Sequence, residues 1–378
     1  MPTTRAIPAV NFGGASGFSV GIEEELLLVD PVTHALDHSA VDVLDGLLVP
    51  TSEGAACPET YAAIIELTSA VSANAAEAAG HLAGLRQRIA DTGATTIGAG
   101  LHPTGAFGDV VHYPSARYRL IAAEMRGLLT RTPTCALHVH VGMPDPETAV
   151  RACNSVRAHL PVLQALAANS PFWHGHDSGL ASARAQVFRA FPTSEIPPVF
   201  RSFDDYAAHV DRIVGASGMP DYTYLWWDIR LHPVLGTLEV RAMDCQSSLE
   251  TVAGLATLVH ALARAGVDDP GPYEHRDVLM ESSFRAARDG LDAMLWRQGR
   301  LVHARELART TIDFARPYAR VVGAEDGLEA VERVLVDGNG ADHQREAHAQ
   351  GGMPAVLARL VEETARNGRL AGIGRDRA

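Results

Sequence analysis

Four short stretches of the chain alternate apolar and polar residues, which is the pattern of a β-strand with one buried face. The first stretch covers residues 18–30. Because successive side chains of a strand point to opposite faces, Glu23 and Glu25 share one face and Glu24 points the other way. Neighbouring carboxylates repel each other, so this pair predicts either a water-exposed edge or a bound cation. Glu24, on the apolar side, is expected to matter least for function.

Three later stretches, 136–142, 227–232 and 238–243, carry the same alternation. An antiparallel sheet with one solvated face would also alternate, but its polar face would be rich in Lys, Thr, Ser and Gln. The polar positions here hold only histidine and charged residues, namely His138, His140, Asp228, Arg230, His232, Glu239 and Arg241. If the four strands join one sheet, their polar faces form a surface lined with acids, histidines and arginines.

Helical periodicity dominates the rest of the chain, most clearly over 74–92 and 146–168. The region 247–372 is expected to be mainly helical, in segments at 247–266, 275–297, 303–321, 324–336 and 354–369. No repeat or low-complexity linker divides the sequence, so residues 1–378 are expected to form a single catalytic domain, with 1–16 flexible. The layout predicts the α+β class, with a mainly antiparallel sheet and helices packed against its apolar face.

Composition excludes several classes of protein. The net charge of −13, without a Lys/Arg run, argues against a nucleic-acid groove. No apolar stretch is long enough for a membrane span or a signal peptide. The four cysteines have no CxxC spacing, so they indicate neither a disulfide framework nor a zinc ribbon. We therefore expect a cytoplasmic protein that acts on small molecules, without a nucleic-acid or membrane partner.

The candidate ligands indicate the chemistry. A carboxylate-rich set suits hard cations such as Mg²⁺ or Mn²⁺, and it comprises Glu23, Glu25, Glu59, Glu66 and Glu239. Arginines beside carboxylates suit a phosphate-bearing substrate, and the combination is typical of phosphoryl transfer. Neither a P-loop nor a GxGxxG motif is present. The pair His138 and His140 leaves an alternative open, a divalent-metal hydrolase that uses zinc.

A set of motifs, in order along the chain, resembles the glutamate–cysteine ligase type 2 family and, within it, the carboxylate–amine ligase branch. The likeness runs from about residue 17 to 300 and becomes weaker in the helical tail. The matching residues are 21–26, Glu59, 65–68, 138–142, 169–173, Gly175, Asp177, Gly179, Ser182, Arg184, 227–230, 238–241 and Asp244.

The resemblance implies a glutamine-synthetase-like fold, in which a curved, mainly antiparallel sheet forms a funnel with helices outside. It implies ATP-dependent amide formation between a carboxylic acid, glutamate among the candidates, and cysteine or another amine, through an acyl phosphate. The metal set that it implies, for Mg²⁺ or Mn²⁺, is Glu23, Glu25, Glu59, Glu66, His138 and Glu239. Arg241 would stabilise the transferring phosphoryl group, while Arg184 and Arg230 would hold a substrate carboxylate or a phosphate. A homodimer is compatible with the apolar helical tail.

The sequence departs from the family pattern at a few positions. Ser69 stands where the family has proline, and Glu195 stands where a glycine is usual. In the segment that the family writes Glu-Asn-Arg-Trp, this chain has Ser282, Ser283 and Phe284. These changes spare the implied metal set. They predict a pocket altered in size or polarity, and hence an amide ligase that accepts a less usual amine.

Overall fold

The computed structural model describes residues 6–14, 17–271 and 273–366. The strands of this part of the chain are short, and most of them lie in its first two thirds. They are β1 (Val20–Val29), β2 (Gly54–Pro58), β3 (Ile64–Ser69), β4 (Thr95–Ile97), β5 (Ala136–Gly142), β6 (Phe172–Trp173), β7 (His176–Asp177), β8 (Ile229–His232), β9 (Thr237–Asp244), β10 (Met294–Arg297) and β11 (Arg300–His303).

Seven of these strands form one sheet, in the order β2-β3-β1-β5-β9-β8, with β4 also paired to β1. Every pairing in it is antiparallel. Strand β1 lies at the centre, where its first half pairs with β5 and its last three residues pair with β4. The four alternating stretches therefore join one sheet, as the sequence predicts.

Helices lie on both sides of this sheet, and several of them cover its apolar face. They are α1 (Ala40–Val43), α2 (Ala75–Asp91), α3 (Ala116–Met125), α4 (Pro146–Val156), α5 (Leu160–Ala167), α6 (Ala183–Phe188), α7 (Phe203–Ser217), α8 (Leu249–Asp268), α9 (Arg276–Asp289), α10 (Ala304–Val321), α11 (Leu328–Asp337) and α12 (Gly340–Ala365). Helix α2 contacts β1 and β3, α4 and α5 contact β9, and α8 contacts β5. Their apolar side chains and the inward face of the sheet form one continuous core.

Local sequence signals start several of these helices. The Asn74 side chain accepts a hydrogen bond from the Glu77 N–H at the start of α2, and Asp145 caps α4 just before Pro146. Helix α12 begins with a capping box in which Asn339 and Asp342 satisfy each other's backbone N–H groups. Such caps satisfy donors that the first helical turn leaves free.

The α+β prediction, with its mainly antiparallel sheet and helices outside, is confirmed. Two details of the helical third are wrong. Residues 294–303 form the β10–β11 hairpin, whereas the sequence predicts a helix to 297. Residues 340–350 are helical although the sequence predicts no element there, and the helix bends at Gly351 and Gly352.

Part of the stretch 1–16 is anchored, contrary to the expectation of flexibility. The Ala6 N–H donates to Asp211 Oδ1 at 3.1 Å, and the Asn11 N–H donates to the Pro233 carbonyl at 2.8 Å. Residues 1–5, 15 and 16 lie outside the described residues, as do 367–372 of the expected helical region. The assignment of residues 1–378 to a single catalytic domain stays a prediction.

Candidate active site

The polar face of the sheet forms the floor of a cavity of about 350 Å³. Of the residues that the sequence nominates for metal, substrate or phosphate, all but Glu239 line this cavity. They are Glu23, Glu25, Glu59, Glu66, His138, Arg184, Arg230 and Arg241. The structure thus brings together in one place residues that are separated by more than 200 positions in the sequence.

Strand register explains why these residues meet. Directly opposite residues of an antiparallel pair point to the same face of the sheet. Glu25 of β1 lies opposite Glu66 of β3, and Glu23 lies opposite His138 of β5. The register between β5 and β9 shifts beside His138, and such irregularities redirect side chains near functional sites.

Glu23 is the centre of a carboxylate–imidazole cluster. Its Oε2 lies 3.1 Å from His138 Nδ1, and its Oε1 lies 3.4 Å from His140 Nε2. One possible ligand atom from each of Glu23, Glu66 and His138 lies within 4.8 Å of the others, and the same holds for Glu23, His140 and Glu239. Both triads could hold a metal ion, and the second adds His140, which the sequence nominates for metal only in the zinc hydrolase alternative.

The buried carboxylates of the cavity lie close enough together to raise one another's pKa values. Burial, and then the charge of Glu59, raises the pKa of Glu25 to about 8. Burial, together with Glu23 and Glu59, also raises the pKa of Glu66 well above its usual range. Because crowded carboxylates take up protons when no cation is present, a divalent cation with oxygen ligands fits this group.

Two histidines stabilise the charged form of Glu23, in contrast to Glu25 and Glu66. Burial alone would raise the pKa of Glu23, but the His140 and His138 imidazoles hold it well below its usual range. His138 stays neutral, since burial and the Arg241 charge lower its pKa to about 4. A neutral imidazole is the form that binds a metal ion.

Glu239 lies behind the cavity wall, with 1% of its surface exposed. Its two oxygens accept hydrogen bonds from Arg230 at 2.6 and 3.2 Å, and it forms an ion pair with Arg241. Burial raises its pKa, but these two guanidinium groups lower it well below the usual range. Glu239 is thus already matched by cations, and it holds both arginines in place.

The three arginines that the sequence nominates differ in how many of their N–H groups have hydrogen-bond partners. Arg230 donates to Glu239 and to the carbonyls of Thr223 and Leu225. In contrast, the buried Nε groups of Arg184 and Arg241 have no hydrogen-bond partner among the described residues. An unpaired guanidinium N–H that lines a cavity suits an anionic ligand such as a carboxylate or a phosphate.

Much of the remaining cavity wall is aromatic, and the sequence pattern did not identify it. It comprises Tyr61, Tyr118, Phe188, Phe191 and Trp226. These residues come from helices and connections, where the alternation of strand residues gives no signal. One local signal does exist, because the long segment 169–198, which contains α6 with Phe188, is rich in Pro, Gly, Ser and aromatic residues.

None of the unusual residues lines the cavity, and the predicted change in its size or polarity stays a prediction. The Ser69 hydroxyl accepts the Ile22 N–H at 2.9 Å, within the sheet. Ser283 is buried and donates to Gln164 Oε1 at 2.6 Å. Glu195 forms an exposed ion pair with Arg276. These side chains support the packing around the site without contacting its interior.

Among the described helices, none is both long enough and apolar enough to cross a membrane.

Comparison with known proteins identifies the family. The sequence model described as glutamate-cysteine ligase family 2 matches residues 19–363. Two relatives from Rubrobacter xylanophilus, provisionally named glutamate–cysteine ligases 2-1 and 2-3, are 37% and 39% identical to this chain. The matches cover 93% and 94% of this chain and 96% and 99% of the relatives.

Solved structures share the fold at low sequence identity. A glutamate–cysteine ligase from Francisella tularensis, solved in complex with AMP, matches with a TM-score of 0.66 and 13% identity, over 93% of this chain and 88% of its own. A bifunctional glutathione synthetase from Pasteurella multocida matches with a TM-score of 0.63 and 14% identity, over 92% of this chain and 52% of its own.

The resemblance drawn from the motifs is therefore confirmed, and nothing in these comparisons supports the zinc hydrolase alternative. The chain belongs to glutamate–cysteine ligase family 2 and is a carboxylate–amine ligase, an enzyme that forms C–N bonds.

Proposed function

We propose that this enzyme uses ATP to join a carboxylic acid to an amine through an acyl-phosphate intermediate. The observation that carries the proposal is one cavity in which four carboxylates and four arginines meet. Carboxylates that bind a divalent cation and arginines that bind phosphate are the two components that phosphoryl transfer requires. The AMP bound to the Francisella tularensis ligase of the same fold supports a nucleotide substrate.

The cation, Mg²⁺ or Mn²⁺, would be held by Glu23, Glu66 and His138, with Glu25 and Glu59 beside them. When bound, it would neutralise phosphate oxygens during transfer. Hard cations prefer oxygen ligands, and four of these five residues supply carboxylates. The raised pKa values of Glu25 and Glu66 support this assignment, since binding a cation would replace the protons that the crowded acids retain.

We assign a different role to each of the three arginines that the sequence nominates. Arg241 contacts the cluster through Glu239 and His138, so its position suits stabilisation of the transferring phosphoryl group. Arg184 stacks on Phe188, with the guanidinium carbon 5.4 Å from the ring centre, and would hold the carboxylate of a substrate. Arg230 has little donor capacity left, so we assign it to positioning Glu239 and the 222–225 turn.

The reaction would proceed in two displacements. First, a carboxylate oxygen of the acid attacks the γ-phosphorus of ATP, the bond between that phosphorus and the bridging oxygen to the β-phosphorus breaks, and ADP leaves. The amine nitrogen then attacks the acyl carbon, the bond to phosphate breaks, and the nitrogen loses a proton. Arg241 would offset the negative charge that builds up in the first step.

Glutamate and cysteine are the first substrates to test, because the relatives are provisionally named for that pair. The four free cysteines and the use of ATP are compatible with a cytoplasmic location. Whether the enzyme forms a homodimer stays a prediction.

The test is release of phosphate from ATP in the presence of Mg²⁺, over a panel of acids and amines. We expect release that depends on both an acid and an amine, that stops with a chelator, and that is lost in Glu23→Gln. Glu124→Gln, an exposed acid of α3 outside the cavity, is the matched control and should keep full activity. If no acid in the panel elicits phosphate release, the ATP-dependent mechanism is wrong.

A further inference from the structure

One arginine of the cavity has no role in the chemistry proposed above. Arg117, in the first turn of α3, lines the same cavity as the acid cluster. The start of a helix disfavours a positive charge, so the charge of Arg117 does not stabilise α3. Its presence there calls for an explanation outside the helix.

Arg117 is exposed, and its guanidinium makes two contacts with the 222–224 turn. Its central carbon lies 4.3 Å from the centre of the Tyr224 ring, which is the geometry of a cation–π contact. Its Nη1 also donates to Thr223 Oγ1 at 3.0 Å. The Thr223 carbonyl in turn accepts from Arg230 at 3.1 Å, so the 222–224 turn connects Arg117 to the arginine that binds Glu239.

The charge of Arg117 is not matched by an acid, unlike the other arginines of the cavity. Arg230 and Arg241 pair with Glu239, and Arg184 lies 3.8 Å from Asp244. Within residues 6–14, 17–271 and 273–366, Arg117 forms no ion pair. The Asp221 carboxylate is separated from it by the Thr223 hydroxyl, which donates to Asp221 Oδ1 at 2.6 Å.

We propose that Arg117 binds an anionic oxygen group of a substrate, a carboxylate or a phosphate, on the part of the cavity wall formed by α3 and the 222–224 turn. A guanidinium has five N–H donors, and Thr223 uses one of them, so a bidentate contact with such a group stays open. The contacts with Thr223 and Tyr224 also restrict the guanidinium, which lowers the entropy that it loses on binding. This inference deepens the proposed function and rests on it for the identity of the substrates.

The experiment is direct binding to the whole chain by calorimetry, with two probes, Mg²⁺–ATP and L-glutamate. Arg117→Ala should weaken binding of at least one probe by about 10- to 100-fold, since a hydrogen bond to a charged group is worth about 1.5–3 kcal/mol. Arg117→Lys should recover only part of the loss, because an ammonium cannot bind in a bidentate way. Weaker binding of ATP alone would identify a phosphate, and weaker binding of glutamate alone a carboxylate.

Arg119→Ala is the matched control, since Arg119 is exposed on the same helix and does not line the cavity. If Arg117→Ala binds both probes within twofold of Arg119→Ala, or if the unaltered chain binds neither probe, the inference is wrong. Binding that depends on Arg117 without any phosphate release would contradict the proposed function but keep this inference. Full phosphate release with no effect of Arg117→Ala on binding would support the proposed function and contradict this inference.

Discussion

The carboxylates on the two faces of strand β1 have contrasting surroundings. On the cavity face, Glu23 and Glu25 lie beside further carboxylates and a limited set of cations. On the other face, Glu24 is 0% exposed and forms a bidentate ion pair with Arg86 of α2, at 2.6 and 2.7 Å. Arg86 also donates to the carbonyls of Ser247 and Gln246, just before α8, and to the carbonyl of Thr364 in α12.

This difference separates a functional site from a structural one. The ion pair behind the sheet is complete, so it joins β1, α2 and α8 and needs no ligand. On the cavity face, the crowded carboxylates raise the pKa values of Glu25 and Glu66, and the cation that we propose would relieve this crowding. The prediction that Glu24 matters least for function stays a prediction, and the ion pair with Arg86 gives this residue a structural role away from the cavity.

The strongest test of the comparison is Glu24→Gln. Removing one partner of a buried ion pair leaves the other charge unpaired, so we expect the free energy of unfolding to fall by about 3–5 kcal/mol. Urea unfolding monitored by circular dichroism measures it. The free energy of unfolding should fall less in a variant with both Glu24→Leu and Arg86→Met than in Glu24→Gln, because the double variant leaves no unpaired buried charge. A loss below about 1 kcal/mol would show that the pair behaves like a surface salt bridge.

On the cavity face, Glu25→Gln should act on activity and not on stability. Loss of a group that organises charge in the transition state typically lowers kcat by about 100-fold or more. Because the pKa of Glu25 is about 8, its carboxyl is mostly protonated at pH 7 without metal, and glutamine resembles that form. The unfolding free energy of the metal-free protein at pH 7 should therefore change little. A variant that is strongly destabilised and inactive would contradict the functional reading of this face.

A buried histidine outside both faces of β1 provides a pH test of how burial of an ionisable group affects stability. Burial, and then the Arg297 charge, lowers the pKa of His159 to about 3. The pKa of His159 in the folded state lies below the unfolded value of about 6.5. As the pH falls below that unfolded value, the unfolded chain takes up a proton at this histidine and the folded protein does not, so the free energy of unfolding falls. At pH 5 this amounts to about 2 kcal/mol. His159→Gln should lose less stability than the unaltered chain between pH 8 and pH 5, and an identical loss would contradict the prediction.

The smallest expected effect comes from added Mg²⁺. At ten times its dissociation constant, a ligand that binds only the native state stabilises it by about 1.4 kcal/mol. Unfolding measured with and without Mg²⁺ should show this gain in the unaltered chain and in Glu24→Gln. The gain should disappear in Glu25→Gln. Equal stabilisation of all three proteins would place the cation outside the proposed cluster.

Much of the sheet could be predicted because the alternation of strand residues is a local signal. It placed Glu23 and Glu25 on one face and His138 and His140 on another polar face, and the structure joins these faces. The short strand β2 was missed, because five residues with two alanines and a glycine show little alternation. The β10–β11 hairpin was missed because it continues a region with helical composition.

The sequence by itself determined which side chains share a face of each strand, since a period of two is fixed by backbone geometry and needs no partner. Tertiary structure alone decided which strands lie side by side and in which register. It set Glu25 opposite Glu66, gave Glu24 a partner 62 positions away in Arg86, and placed Arg117 in the cavity from a distant helix. These juxtapositions depend on the packing of segments remote in sequence, and no local pattern encodes them.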